Sequence, residues 1–389
     1  MIERQPAAST TATVTPGGPY RVMVVDDSAV IRGLITRALE SDPEIVVVTT
    51  VGNGQMALNA LSRADIEVVI LDIEMPVMDG LTALPLLIAA QPRLQVIMAS
   101  TLTRRNADIS LRALAAGAAD YVAKPTSASA VGNGEQFKAD LIGKIKGLAG
   151  TQRRQRGLSA PGPRSATEAA RGGLPIARPA AAARGPLKLR AMPTEVPEII
   201  AIGSSTGGPQ ALFEVLGALR GGLPQPILIT QHMPATFTTI LAEHIMRQSG
   251  LPTAEATDGM PIQHGHVYVA PGDFHMVVEA GASGGRVLRL QKGPPENYCR
   301  PSVDPMLRSI VKAYGRRVLT VILTGMGQDG LRGGEAVVAA GGSVIGQDEA
   351  TSVVWGMPGA VALAGVCSAV LPIKEIAGCI RRVAGKAVP

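Results

Sequence analysis

The run Glu198-Ile199-Ile200-Ala201-Ile202 leads directly into Gly203-Ser204-Ser205-Thr206-Gly207-Gly208-Pro209 and then into the apolar-periodic stretch Ala211 to Leu216. An apolar run that ends in small residues and gives way to a helical period reads as strand, tight turn and helix. That order points to an open α/β sheet, in which functional side chains collect beyond the carboxyl ends of the strands. Gly203, Ser205 and Gly207 fall at the G-x-S-x-G spacing that gives a serine hydroxyl room on a sharp bend. An ordinary glycine- and serine-rich loop, or an anion site at a helix N-terminus, has the same composition. The turn alone therefore leaves a nucleophile and a binding loop both open.

The same alternation runs through the first part of the chain. Val22 to Val25, Ile45 to Val48, Val68 to Leu71, Val96 to Ala99 and Tyr121 to Ala123 read as strands, with helices over Ala29 to Leu39, Gln55 to Leu61, Leu81 to Ala90, Asn106 to Ala116 and Gln136 to Leu148. Five strands alternating with helices imply a parallel, doubly wound sheet. Asp26 and Asp27 follow the first strand, Asp72 the third, Ser100 the fourth and Lys124-Pro125 the fifth. In a parallel sheet these points share one edge. Three clustered acids repel one another unless a cation sits among them, and an oxygen-lined site with few protein ligands suits Mg²⁺. A metal-neutralised aspartate beside a lysine can accept a phosphoryl group.

At 389 residues, 46% of them hydrophobic, the chain can bury two or three cores. Residues 1–19, rich in Ala, Thr and Pro, are expected to be disordered; 20–150 form the first domain; 151–195, rich in Ala, Pro, Arg and Gly, form a flexible linker; and 196–389 form the second domain. About 40 flexible residues span on the order of 35 Å, enough for one domain to move across the other. The formal charge is +6, yet Thr151 to Arg190 holds nine Lys/Arg against one Asp/Glu and is itself +8, so the remainder carries −2. A basic linker between near-neutral domains argues against a folded nucleic-acid surface. No apolar stretch is long enough to span a membrane and no signal-like segment opens the chain. Three widely spaced cysteines, Cys299, Cys367 and Cys379, fit a reducing compartment and argue against zinc, so a cytoplasmic location is expected.

In the second domain, apolar segments at Ile199 to Ile202, Ile227 to Ile229, Val267 to Val269, Val287 to Leu290, Val318 to Leu323, Ser343 to Ile345 and Ala369 to Leu371 alternate with helices over Ala211 to Leu219, Thr236 to Gln248, Val303 to Tyr314 and Leu331 to Ala340. They imply a second, mostly parallel sheet with a β-rich insertion around Val267 to Leu290. A serine nucleophile needs a base, and the base needs an orienting group. His232 follows the strand Ile227 to Thr230 and so shares the sheet edge with Ser205; His275, also after a strand, is its rival, while His244, His264 and His266 sit on a helix or in a loop. For the acid, Asp329 in Gly325-Met326-Gly327-Gln328-Asp329-Gly330 is favoured over Asp258, Asp273, Asp304 and Asp348, because glycines let a carboxylate come close. The order Ser, His, Asp differs from that of α/β-hydrolases.

Two resemblances now become specific. Asp26-Asp27, Asp72 with Met75-Pro76 and Asp79-Gly80, Ser100, Tyr121 and Lys124-Pro125 resemble the receiver domain of bacterial response regulators, a flavodoxin-like fold. Matched position by position, the resemblance makes Asp72 the phosphoacceptor. It puts Mg²⁺ on Asp27, Asp72 and the backbone carbonyl of Glu74, with Asp26 helping through water, and sets Lys124 and Ser100 against the phosphoryl oxygens. Tyr121 would report the state, and Thr101 competes with Ser100 as the inward hydroxyl. Gly203 to Gly208, Thr230-Gln231-His232-Met233-Pro234, Ala270 to Asp273, Arg300-Pro301-Ser302-Val303-Asp304 and Leu323 to Gly330 resemble the chemotaxis protein-glutamate methylesterases.

That second resemblance implies Ser205 as nucleophile, His232 as base, Asp329 as its orienter and the backbone N–H groups of Thr206 and Met326 as oxyanion donors. Gln328 stands where relatives often have Asn, and Ser204 where they often have Ala, which leaves a second hydroxyl without a role. The implied activity is demethylation of glutamate γ-methyl esters on chemoreceptors, releasing methanol, with deamidation of receptor glutamines beside it and no cofactor for the hydrolase. The implied partners are methyl-accepting receptors as substrate and the chemotaxis histidine kinase as phosphodonor, met at membrane-associated arrays without membrane insertion or nucleic acid. Two other readings stand beside it, a response regulator whose second domain only binds and an unregulated small-ester hydrolase with a vestigial receiver.

Overall fold

The computed structural model describes residues 17–124, 134–158, 187–281 and 284–385. Residues 1–16, Pro125 and the bulk of the expected linker, 159–186, lie outside them. The chain divides into two compact units, each built on its own sheet.

The N-terminal sheet and its helices run β1 (Tyr20–Val25), α1 (Ala29–Glu40), β2 (Ile45–Val51), α2 (Gly54–Leu61), β3 (Val68–Asp72), α3 (Gly80–Ala90), β4 (Gln95–Ser100), α4 (Arg104–Ala115), β5 (Asp120–Ala123) and α5 (Gly134–Gln155). The five strands lie in the order β2-β1-β3-β4-β5 and pair in parallel throughout. Covered on both faces, β3 is buried at every residue, which is why its sequence is continuously apolar rather than alternating. Side-chain caps start three of the helices. Ser28 accepts from the Ile31 amide, Asn53 from Met56 and Asp79 from Thr82, each satisfying one of the N–H groups a helix start leaves open.

Helix α5 continues past its expected end at Leu148 into the stretch read as linker. The cause is Arg153, 1% exposed, which forms a two-pronged ion pair with Glu67 at 2.6 Å through both Nε and Nη2 and donates further to the carbonyls of Gly18 and Pro19. Its guanidinium also lies over the Tyr20 ring at 4.5 Å. Composition reports the average polarity of that segment and misses an arginine that is pinned.

The second unit runs β6 (Ile199–Ser204), α6 (Gly208–Ala218), β7 (Ile227–Gln231), α7 (Ala235–Ser249), β8 (Thr253–Glu255), β9 (Val267–Val269), β10 (His275–Ala280), β11 (Arg286–Gln291), α8 (Val303–Tyr314), β12 (Val318–Ile322), α9 (Leu331–Ala339), β13 (Ser343–Gln347), α10 (Met357–Leu363), β14 (Ala369–Leu371) and α11 (Ile373–Ala384). Seven strands lie in the order β14-β13-β12-β6-β7-β9-β8, again with every neighbouring pair parallel. Of the β-rich insertion expected around Val267 to Leu290, only the antiparallel hairpin β10-β11 lies outside the main sheet; Val267–Val269 is β9, paired in parallel with β7 and β8 inside it.

Two strands and two helices exceed the sequence reading. Strand β8 is short, polar and half exposed, so it carries no apolar signal. In α11, Ile373, Ile376, Ala377, Ile380 and Ala384 are buried at helical spacing.

From β6 the chain first builds outward through β7, β9 and β8, and later returns to β12 on the other side. The carboxyl ends of β6 and β12 therefore flank the point where the winding reverses, the position at which open α/β sheets place their sites. Among the described residues no helix is long and apolar enough to cross a membrane.

Candidate active site

Register alone brings the principal residues together. In the parallel pair β6-β7, Ser204 lies opposite Gln231, so the next step along each strand sets Ser205 beside His232. On the other side Gly203 lies opposite Ile322, which carries β12 into the loop that holds Asp329. Backbone bonds extend the ladder past the strand ends: His232 N donates to Ser204 O at 3.2 Å, Leu323 N to Gly203 O at 2.9 Å and Ser205 N to Thr324 O at 3.0 Å. Adjacent strands are about 4.8 Å apart. Residues far apart in the chain thus meet at one rim.

The turn after β6 is closed by Gly207, whose φ of +74° is left-handed; a Cβ there would come within 2.6 Å of Val353. The two serines part company in this turn. Ser204 is fully buried and donates to Gln231 Oε1 at 2.6 Å, while Ser205 is partly exposed. Gln231 in turn donates from Nε2 to the carbonyls of Ser205 at 2.9 Å and His232 at 3.3 Å. The second hydroxyl therefore holds the glutamine that ties the two reactive positions together. The motif around His232 was legible, but Gln231's part in it needed the cross-strand pairing.

Asp329, 1% exposed, accepts from His232 Nε2 at 2.8 Å and Val303 N at 2.6 Å on Oδ2; on Oδ1 it accepts from Ser302 Oγ and Asn297 Nδ2, both at 2.8 Å, from Gly330 N at 2.9 Å and from Asp304 N at 3.1 Å. Burial would raise its pKa, but the histidine and these donors outweigh it and hold the carboxyl ionised below its ordinary value. Because a carboxylate only accepts, Nε2 of His232 carries the proton and Nδ1 is the nitrogen left to act as base. Burial of His232 works against its charge, but the neighbouring Cys299 sulfur and Asp329 carboxylate raise its pKa to about 10.

The rivals have other employment. His275 Nδ1 accepts from Ser302 N at 3.2 Å and its Nε2 donates to Pro294 O at 3.0 Å, so both ring nitrogens are taken up in holding a loop. Asp304, in the first turn of α8, accepts from the Gly330 and Gly333 amides and from Asn297, bracing the loop around Asp329. Burial raises its pKa, the opposite direction from Asp329. Asp258 pairs with Arg289 on the surface, and Asp348 caps the turn at Thr351. Among the described residues the amides of Thr206 and Met326 donate to no protein acceptor, and the Ser205 hydroxyl has no partner. Asn297 escaped the sequence reading, and Cys299 and Ser302, though named there, were given no part in the site, since nothing in their spacing announces contact with residues 232 or 329.

The first unit carries a second cluster built by the same logic. Val25 lies opposite Leu71, so Asp26 comes next to Asp72, and Ser100 lies opposite Ala123, so Lys124 follows at the rim. Lys124 Nζ sits 2.7 Å from Asp26 Oδ2 and 2.6 Å from Asp72 Oδ1. Carboxylate oxygens of Asp26, Asp27 and Asp72 gather within 4.8 Å of one another, with Asp27 exposed and the other two buried. Burial, with the Asp26 charge behind it, raises the pKa of Asp72 even against Lys124. Three carboxylates against one ammonium leave a deficit of positive charge, and their hard oxygens fit a small divalent cation.

Ser100 is buried and Thr101 exposed. Tyr121 is also buried, with the Lys144 ammonium 5.0 Å from its ring centre. Glu74 is exposed in the loop beyond β3. Gly80 backs onto this loop so closely that a Cβ would lie 2.1 Å from the Asp72 carbonyl oxygen.

Comparison with known proteins finds a family model for each of the two domains. Residues 200–380 match the family model described as CheB methylesterase, and residues 22–132 the response regulator receiver domain. The chain is 61% identical over 377 residues to a Rhodospirillum rubrum protein named protein-glutamate methylesterase/protein-glutamine glutaminase 1, covering 96% of this chain and 97% of that one. It is 61% identical over 386 residues to a Rhodospirillum centenum protein of the same activity name, covering 97% and 98%. Among solved structures, the Thermotoga maritima CheB methylesterase catalytic domain is 40% identical with a TM-score of 0.47, covering 48% of this chain and 99% of that one.

Proposed function

Since this chain belongs to the protein-glutamate methylesterase/protein-glutamine glutaminase family, we propose that Ser205, His232 and Asp329 perform that hydrolysis, demethylating glutamate γ-methyl esters on chemoreceptors and deamidating specific receptor glutamines. The observation that supports the reading is the β6-β7 register, Ser204 opposite Gln231, which brings Ser205 and His232 one step beyond the same pair, together with the Asp329 carboxylate 2.8 Å from His232 Nε2.

Ser205 Oγ attacks the ester carbonyl carbon and its proton passes to Nδ1 of His232, while Asp329 steadies the ring and the charge it gains. The amides of Thr206 and Met326, which have no protein acceptor among the described residues, bind the oxyanion. The tetrahedral intermediate expels methoxide, which takes the proton from His232 and leaves as methanol. Water then enters, gives a proton to His232 and opens the acyl-enzyme to glutamate, returning that proton to Ser205. With a glutamine substrate the group expelled is ammonia.

The receiver unit makes the protein a phosphorylation-regulated member of the chemotaxis pathway. Asp72 is the acceptor, the chemotaxis histidine kinase the donor, and Lys124 and Ser100 meet the phosphoryl oxygens. Asp27, Asp72 and the Glu74 carbonyl, with Asp26 adjacent, would hold Mg²⁺, which would supply neutralising charge there. The new charge on Asp72 biases a two-state equilibrium in which the unphosphorylated receiver restrains the hydrolase, with Tyr121 responding to the change. The enzyme works in the cytoplasm, at receptor arrays.

The test is methanol release from a methyl-esterified receptor fragment. The wild-type protein is expected to release it and Ser205→Ala to release none; methanol from Ser205→Ala at the wild-type rate would reject the assignment.

A further inference from the structure

Four residues beside the candidate site form a tight turn that is costly to build. Cys299 N donates to Glu296 O at 2.9 Å and Glu296 N to Cys299 O at 3.1 Å, so the two close a two-residue reversal. The residues at its tip, Asn297 and Tyr298, have φ of +52° and +63°. Both central residues left-handed is the type I′ geometry, which favours Asn followed by Gly. Asn297 suits its place. Tyr298 does not, because its Cβ crowds the backbone there.

Packing does not compensate for the strain. The Tyr298 side chain is 95% exposed, the most exposed large hydrophobic among the described residues, and among those residues it has no hydrogen bond, ion pair or ring contact. The turn is nevertheless firmly held. Asn297 Nδ2 donates to Asp329 and to Asp304, Cys299 lies beside His232, and the Glu296 carboxylate accepts from Arg308 of α8 at 2.6 Å. The backbone that bears an exposed aromatic ring is thus fixed relative to the reacting groups, at a position where glycine would cost less. Outliers of this kind persist where they serve a site.

We propose that Tyr298 is a substrate-contacting residue that packs against the protein segment carrying the esterified glutamate, setting affinity for the protein substrate. The inference rests on the methylesterase reading above. A glutamyl side chain that reaches Ser205 brings its own backbone and neighbouring side chains to the rim, and the rim next to His232 and Asp329 is this turn. A tyrosine gives a large, stiff contact with an apolar body and a polar tip, a type enriched where protein surfaces bind. The occupant is a segment of the methylated receptor.

The test compares the full-length wild-type protein with Tyr298→Gly, Tyr298→Asn and Tyr298→Phe on the methyl-esterified receptor fragment. Gly and Asn both tolerate the left-handed φ and so keep the turn while removing the ring; Phe keeps the ring. Gly and Asn are expected to raise KM at least fivefold with kcat within twofold, and Phe to hold both within twofold. Tyr298→Gly is also expected to melt at or above the wild-type temperature, since its strain is gone.

An unaltered KM in Gly and Asn, or a loss confined to kcat, would make the turn merely structural and overturn the inference. A lower melting temperature for Tyr298→Gly would show that the ring packs within the chain and would overturn it too. Absence of methanol from the wild-type protein would instead overturn the methylesterase reading, and the inference with it.

Discussion

Ser204→Ala removes the hydroxyl that donates to Gln231 Oε1 at 2.6 Å and leaves that oxygen buried without a donor. The expected cost is about 1–3 kcal/mol in stability, read from the denaturant midpoint of the second unit, with most of the hydrolysis retained because the hydroxyl faces Gln231 rather than the substrate side. At His232 the charge balance gives a pH dependence. The base must be neutral to take the serine proton, and its pKa is raised to about 10, so kcat/KM is expected to climb with pH into that range. Cys299 is the foremost influence raising it. Removing that sulfur in Cys299→Ser lowers the pKa and is expected to move the climb toward lower pH, which a pH–rate profile reads directly. The same shift enters stability. The folded value lies above the unfolded one near 6.5, so the histidine's contribution is full below about pH 6.5 and is lost as pH rises through about 10.

At the scale of elements, α5 and the loop after β3 each depend on one contact. Arg153 and Glu67 are both buried and paired at 2.6 Å. Arg153→Met leaves Glu67 charged and uncompensated, with an expected loss of about 3–5 kcal/mol in the first unit's urea transition and fraying of the last turns of α5, visible as faster amide exchange. Replacing both residues by apolar ones of similar size is expected to recover much of that loss. Gly80 lets α3 start directly against the strand end that bears Asp72. In Gly80→Ala a methyl 2.1 Å from the Asp72 carbonyl cannot be accommodated without moving the loop, and phosphorylation by a small phosphodonor is expected to slow at least tenfold.

For the whole molecule, a small phosphodonor with Mg²⁺ is expected to raise methanol release by wild-type protein, and Asp72→Asn or a metal chelator to abolish the rise; a tenfold stimulation corresponds to about 1.4 kcal/mol of bias between two states. Much of this architecture was legible from the chain alone. The alternation of apolar runs with helical periods named two parallel sheets, and the positions of Asp72, Lys124, Ser205 and His232 just past predicted strands placed them on the correct edges, because a parallel sheet brings every strand's carboxyl end to one rim. Strand order and register were not in the sequence. That β6 lies between β7 and β12 decides that Ser205 has His232 on one side and the Asp329 loop on the other. The parts played by Gln231, Asn297, Cys299 and Arg153 likewise come from contacts between segments distant in the chain. Local periodicity records how each segment meets the core, whereas hydrogen bonds across strands and loops depend on which segments become neighbours, and only the folded chain decides that.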